Sequence, residues 1–150
     1  MTRVLVLLLV LSASTAHAQN QSLVGSWKVT YPAGMRMENG TPTTIMATGS
    51  LTISAKSDSL VADLVNDPSP DVPARPPAHL AGKRGPGETV FASRTKATIN
   101  INGSAEEAIA VSTWKLQAKG DSLVGTVERK IEGHEMGNQP PSPVNGIRKH

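Results

Sequence analysis

Apolar and polar residues alternate along most of this chain with a period of two. In residues 23–31, Leu23, Gly25, Trp27, Val29 and Tyr31 fall on one side, while Lys28 and Thr30 fall on the other. A strand with one buried face demands this pattern, because successive side chains point to opposite sides. The same alternation predicts strands over 44–54, with Ile45, Ala47, Leu51 and Ile53 in phase, and over 59–65. Further strands are expected over 89–101, 107–118 and 122–131, with a short last one at 144–149. No segment carries a convincing apolar period of 3.6, so no helix is predicted.

Turn chemistry sets the boundaries. Asn102-Gly103-Ser104 and Lys119-Gly120-Asp121 each separate two apolar runs, and Asn and Gly accept the positive φ of a tight hairpin. Asn39-Gly40-Thr41 matches a glycosylation acceptor but reads more simply as another turn. Within 107–118 the apolar phase switches, from odd (Ile109, Val111) to even (Trp114, Leu116), which predicts a bulge near Ser112-Thr113. Gly49 falls in a buried phase and would permit a sharp bend. Residues 66–88 are proline-rich, and residues 133–143 hold Pro, Gly and Asn. Both are expected as surface loops, because proline lacks the N–H a ladder needs.

One hairpin occurs twice. Residues 51–64 align with 114–127, sharing Ala-Lys-x-Asp-Ser-Leu-Val, with Lys56 or Lys119 and Asp58 or Asp121 at the tip. Each copy reads as strand, polar turn, strand, which implies consecutive antiparallel pairing. Seven to eight strands in one domain would leave exposed edges in an open sheet, and closure removes them. The expected fold is therefore all-β, an up-and-down antiparallel meander closed into a barrel.

Gly25-Ser26-Trp27, opening the first strand, resembles the Gly-x-Trp start of lipocalins and the wider calycin group. The resemblance implies a barrel around a ligand cavity, with Gly25 allowing a tight backbone turn at the closed end and Trp27 plugging the floor. It also implies a late basic residue over the indole, and Gly146-Ile147-Arg148 supplies Arg148 for that place. The chain departs from the group in three respects. It has no amphipathic counterpart of the lipocalin helix, and the second lipocalin motif is missing. Neither the arginine–tyrosine cluster that grips fatty acid nor the aromatic-rich biotin site is recognisable.

The first 18 residues have a different character. Arg3, an apolar run over 4–11 and the small-residue end Ala16-His17-Ala18 stand in the order of a secretory signal, with cleavage expected after Ala18. The run is shorter than the roughly 20 residues a membrane-spanning helix needs. Residues 19–150 are then a single exported domain, periplasmic or extracellular, with no membrane anchor after cleavage. The chain has no cysteine, which excludes disulfides, thiolate metal sites and a lipid-modified cysteine, and fits a bacterial exported protein.

Charge adds little. The net charge is +3, removal of Arg3 lowers it by one, and the basic residues form no run interleaved with aromatics. Nucleic-acid binding is not expected. No nucleophile elbow, phosphate loop or dinucleotide fingerprint occurs, so the chain is read as non-enzymatic and without cofactor. Glu132, His134 and Glu135 form the one His–carboxylate cluster and read as a solvated turn rather than a metal site. Glu106 and Glu107, adjacent on a strand, point to opposite faces and do not share a proton.

The reading that follows is a small barrel holding an apolar or amphipathic small molecule in its interior. Inward positions rich in Ala, Thr and Ser leave space, and the expected walls are Val29, Tyr31, Ile53, Leu64, Phe91 and Trp114. Met35-Arg36-Met37 is placed in the first long loop, either as flexible methionines at a barrel mouth that would close over an apolar ligand or as an exposed mobile loop. The alternative is a protein-interaction or inhibitor module that contacts its partner through residues 66–88, whose prolines lower the ordering cost of binding.

Overall fold

The computed structural model describes residues 23–83, 88–101 and 103–150. The expected signal and its cleavage site lie outside the described residues, as do Asn102 and residues 84–87 of the proline-rich stretch. Among the described residues there are eight strands: β1 (Gly25–Glu38), β2 (Thr41–Lys56), β3 (Ser59–Asn66), β4 (Ala78–Lys83), β5 (Thr89–Ile101), β6 (Ser104–Lys119), β7 (Ser122–Ile131) and β8 (His134–Arg148). Each pairs antiparallel with the next, and β8 pairs with β1, so the sheet closes into an up-and-down barrel.

The hairpins follow from their turn residues. Asn39 and Gly40 both take positive φ, 50° and 80°, the backbone of a two-residue turn between Glu38 and Thr41. The repeated motif forms two equivalent hairpins. Lys56 pairs with Ser59 and Lys119 with Ser122, and the first turn residue is left-handed in each, Ser57 at 50° and Gly120 at 61°.

Four local expectations are corrected. Residues 66–88 are not one loop. Residues 78–83 contain no proline, and His79, Leu80, Ala81 and Gly82 alternate out and in, so they form β4. Residues 133–143 are not a loop either, because β8 runs from His134. Its register slips between Val127↔Ser142 and Arg129↔Gln139, which places Pro140 and Pro141 in an irregularity where no regular ladder bond is required. This half of β8 also has no partner on its β1 side, since that pairing spans only Trp27↔Arg148 to Thr30↔Asn145.

The third correction concerns β1, which continues past Tyr31 to Glu38, with a bulge between Pro32 and Gly34. The fourth concerns β6, whose register is continuous through Ser112 and Thr113 with no bulge. Its inward face keeps the even phase throughout, through Ala110, Ser112, Trp114 and Leu116. Ile109 and Val111 point outward, half-buried.

The interior is divided along the barrel axis. At one end Leu23, Trp27, Leu51, Phe91, Leu116 and Leu123 are fully buried and fill the cross-section. Towards the other end the inward positions turn small: Ala47 and Gly49 on β2, Ser93, Thr95 and Ala97 on β5, Ala110 and Ser112 on β6. Gly49 is needed for a close strand approach, since a Cβ there would stand 2.6 Å from the Val65 carbonyl oxygen.

Candidate ligand cavity

The closed end is sealed by the first and last strands together. Trp27 is fully buried, and its indole N–H donates to the Leu23 carbonyl at 2.9 Å. The Arg148 guanidinium lies 4.2 Å from the indole centroid and donates to the Val24 carbonyl at 3.0 Å. Gly25 has φ 137°, and a Cβ there would come within 2.6 Å of Arg148 Nη1. The glycine is therefore required twice, by its backbone and by the guanidinium it faces.

Above this floor the small side chains leave a cavity of about 670 Å³, partly open to solvent. Tyr31 and Trp114 form part of its wall, with ring centroids 5.5 Å apart and planes tilted by 52°. Leu64, Leu80, Ile99 and Ile131 add apolar surface, and Ala97, Ala110 and Ser112 keep the space open. Of the six expected wall residues, Tyr31, Leu64 and Trp114 line this cavity, whereas Val29, Ile53 and Phe91 lie in the packed floor beneath it. Met35 is exposed, and the side chain of Met37 is outside the described set.

Two arginines at the cavity were not singled out from the sequence. Arg129 shares the inward phase of β7 with Leu123, Val127 and Ile131, a cation at an apolar position. Its Nε donates to Ser112 Oγ and its Nη1 to the Ala33 carbonyl, both at a long 3.4 Å. Burial draws its pKa down from the ordinary guanidinium value, and the neighbouring charge of Arg75 draws it further. A guanidinium so affected still carries its charge at neutral pH. Burial raises the Tyr31 phenol above 10.0, opposed by the charges of Arg75 and Arg129. A charge in the apolar phase of β7 was the readable signal for Arg129. Arg75 had none, because it sits on a connection whose path periodicity does not predict.

That connection, residues 67–77, is a pinned strap. Asp67 accepts from Lys28 and, at 2.7 Å, from Thr48 Oγ1, and Asp71 pairs with Arg36 at 2.8 Å. The Asn66 side chain donates to the Pro73 carbonyl at 3.0 Å and accepts the Arg75 amide at 3.1 Å. Val72 is buried in the core cluster. The strap so held brings Arg75, Pro76 and Pro77 to the cavity. The Lys28 hydrogen bond, then that of Thr48, holds the Asp67 carboxyl below its ordinary 3.8.

A second recess, about 540 Å³, lies beside the β4–β5 seam, where pairing covers only Ala81↔Ala92 to Lys83↔Val90. His79, which is hydrogen-bonded to Asp63, lines it, and Leu80 and Ser93 line both recess and cavity. Leu80 and Ser93 thus stand between the recess and the cavity. No known family, curated protein or solved structure matches this chain.

Proposed function

We propose that the protein is an exported, non-enzymatic binding protein that holds an apolar or amphipathic small molecule in the open half of its barrel. The observation that carries this reading is the cavity of about 670 Å³ between a packed floor and a pinned strap, walled by Tyr31, Trp114, Leu64 and Ile131. A ligand hiding about 300 Å² of apolar surface there gains roughly 7 kcal/mol before ordering costs. The contact of Arg148 with Trp27 beside Gly25 supports the calycin resemblance, and with it a ligand-binding barrel. The strap's inward contacts favour a small molecule over a partner protein as its counterpart.

The test is titration with N-phenyl-1-naphthylamine, a neutral apolar dye that fluoresces when removed from water. Saturable binding that is lost in Ala97→Phe, which fills the cavity, supports the reading. Absence of binding by the folded wild type, or binding unaffected by the filled cavity, overturns it.

A further inference from the structure

Away from the cavity Lys28, Arg36, Arg94, Lys130 and Arg148 face carboxylates, from Asp67, Asp71, Glu132, Glu128 and Asp121 respectively. At the cavity Arg129, Arg75 and Lys96 have no such partner, and Arg129 is the one among them withdrawn from water. Among the described residues no carboxylate stands within 4 Å of either guanidinium, and no Asp or Glu lines the cavity. The two cations are close enough for the charge of Arg75 to disfavour that of Arg129. Arg129 is half-buried, and a cation partly withdrawn from water without a counter-charge is costly; the exposed Arg75 adds a second positive charge beside it.

Resting on the cavity reading above, we propose that the bound molecule is an organic anion, an apolar body ending in one carboxylate- or sulfonate-like oxyanion held between Arg129 and Arg75. The donor inventory fits that headgroup. A guanidinium presents five N–H groups in a planar fork matched to two oxygens, and Arg129 uses only two, in long bonds to Ser112 and Ala33. An oxyanion at this place neutralises both cations and uses the remaining donors. Tyr31 adds a phenol hydroxyl to the same cavity. The apolar body lies against Trp114, Leu64, Ile99 and Ile131. Arg75 reaches the cavity from the strap, so headgroup binding and the pinned position of residues 67–77 reinforce one another.

The experiment uses two dyes with the same aromatic body. 1-Anilinonaphthalene-8-sulfonate carries an anion, and N-phenyl-1-naphthylamine is the same molecule without it. The folded wild type is expected to bind the sulfonate about tenfold or more tightly, the worth of one charged hydrogen bond. Arg129→Gln and Arg75→Gln should each remove most of that preference and leave the neutral dye unaffected. Lys119→Gln, which removes one positive charge at a floor-end hairpin tip, should leave the preference intact. Arg75 is exposed, so its variant folds even if Arg129→Gln does not. Equal binding of the two dyes, or a preference that survives both arginine variants, overturns the anion site while the cavity reading stands. Failure of both dyes to bind overturns the cavity reading and the anion site with it.

Discussion

Arg148 places its guanidinium over the indole of Trp27, 4.2 Å from the ring centroid, and so joins the end of the chain to its first strand. The register Trp27↔Arg148 puts the two side by side in the short β1–β8 seam. The same guanidinium donates to the Val24 carbonyl at 3.0 Å and faces Asp121 at 3.5 Å. One residue thus ties the floor, the closing seam and the β6–β7 turn together.

Arg148→Ala is expected to destabilise the protein by about 1–3 kcal/mol, through the lost cation–π contact and the orphaned carbonyl. Arg148→Lys should recover only part, because an ammonium lacks the planar stacking face. Urea unfolding followed by tryptophan fluorescence measures both, and an unchanged midpoint for the alanine variant would show that the contact contributes nothing.

Gly25→Ala should cost about 1–3 kcal/mol from backbone strain alone. It also pushes a methyl group against Arg148 Nη1, at 2.6 Å. A double-mutant cycle separates the two effects. In an Arg148→Ala background the steric part disappears and the strain remains, so the two substitutions are expected to be clearly non-additive. Simple additivity would rule out the steric clash.

The divided interior predicts unequal costs along one strand. Phe91→Ala removes a fully buried ring from the floor and should cost about 3–5 kcal/mol. Ala97→Val, on the same face of β5 but at the cavity, should change stability by less than about 1 kcal/mol, because the added methyl groups enter open space. Thermal denaturation of the pair decides the matter, and comparable losses would contradict a hollow mouth.

The strap should loosen in acid. The Asp67 carboxyl has a depressed pKa in the folded protein, so its contribution is present above the unfolded value and is lost as pH falls through the folded one. That window lies below about pH 4. Hydrogen exchange over residues 67–77, corrected for its intrinsic pH dependence, should show the strap protected at neutral pH and opened below that window. Asp67→Asn should be loosened at neutral pH already, with little further change in acid. A strap equally protected in the variant would mean that Val72 and Asn66 hold it without the ion pair.

Much of the architecture was legible in the chain. β5 and β7 match their predicted spans, since uninterrupted alternation between clear turns leaves one arrangement of strand and face. The repeat at 51–64 and 114–127 forms paired hairpins for the same reason. The β6 phase switch was visible but misread. It marks Ala110 and Ser112 turned inward at the cavity, with Ile109 and Val111 outside, and no register slip is involved. β8 was cut short because a proline in sequence does not reveal which edge of its strand is unpaired.

Alternation and turn residues determined that this chain is an antiparallel meander, because both act over a few neighbouring positions. They also placed Gly25 and Trp27 on the first strand. Tertiary structure decided where the barrel is solid and where it is hollow, because that depends on which inward side chains from eight strands share one level. It decided too that the residue 67–77 strap lies at the cavity, bringing Arg75 from the connection near Arg129 from β7. Their proximity arises from closure and from the strap's ion pairs with Lys28 and Arg36, contacts between residues far apart in the chain.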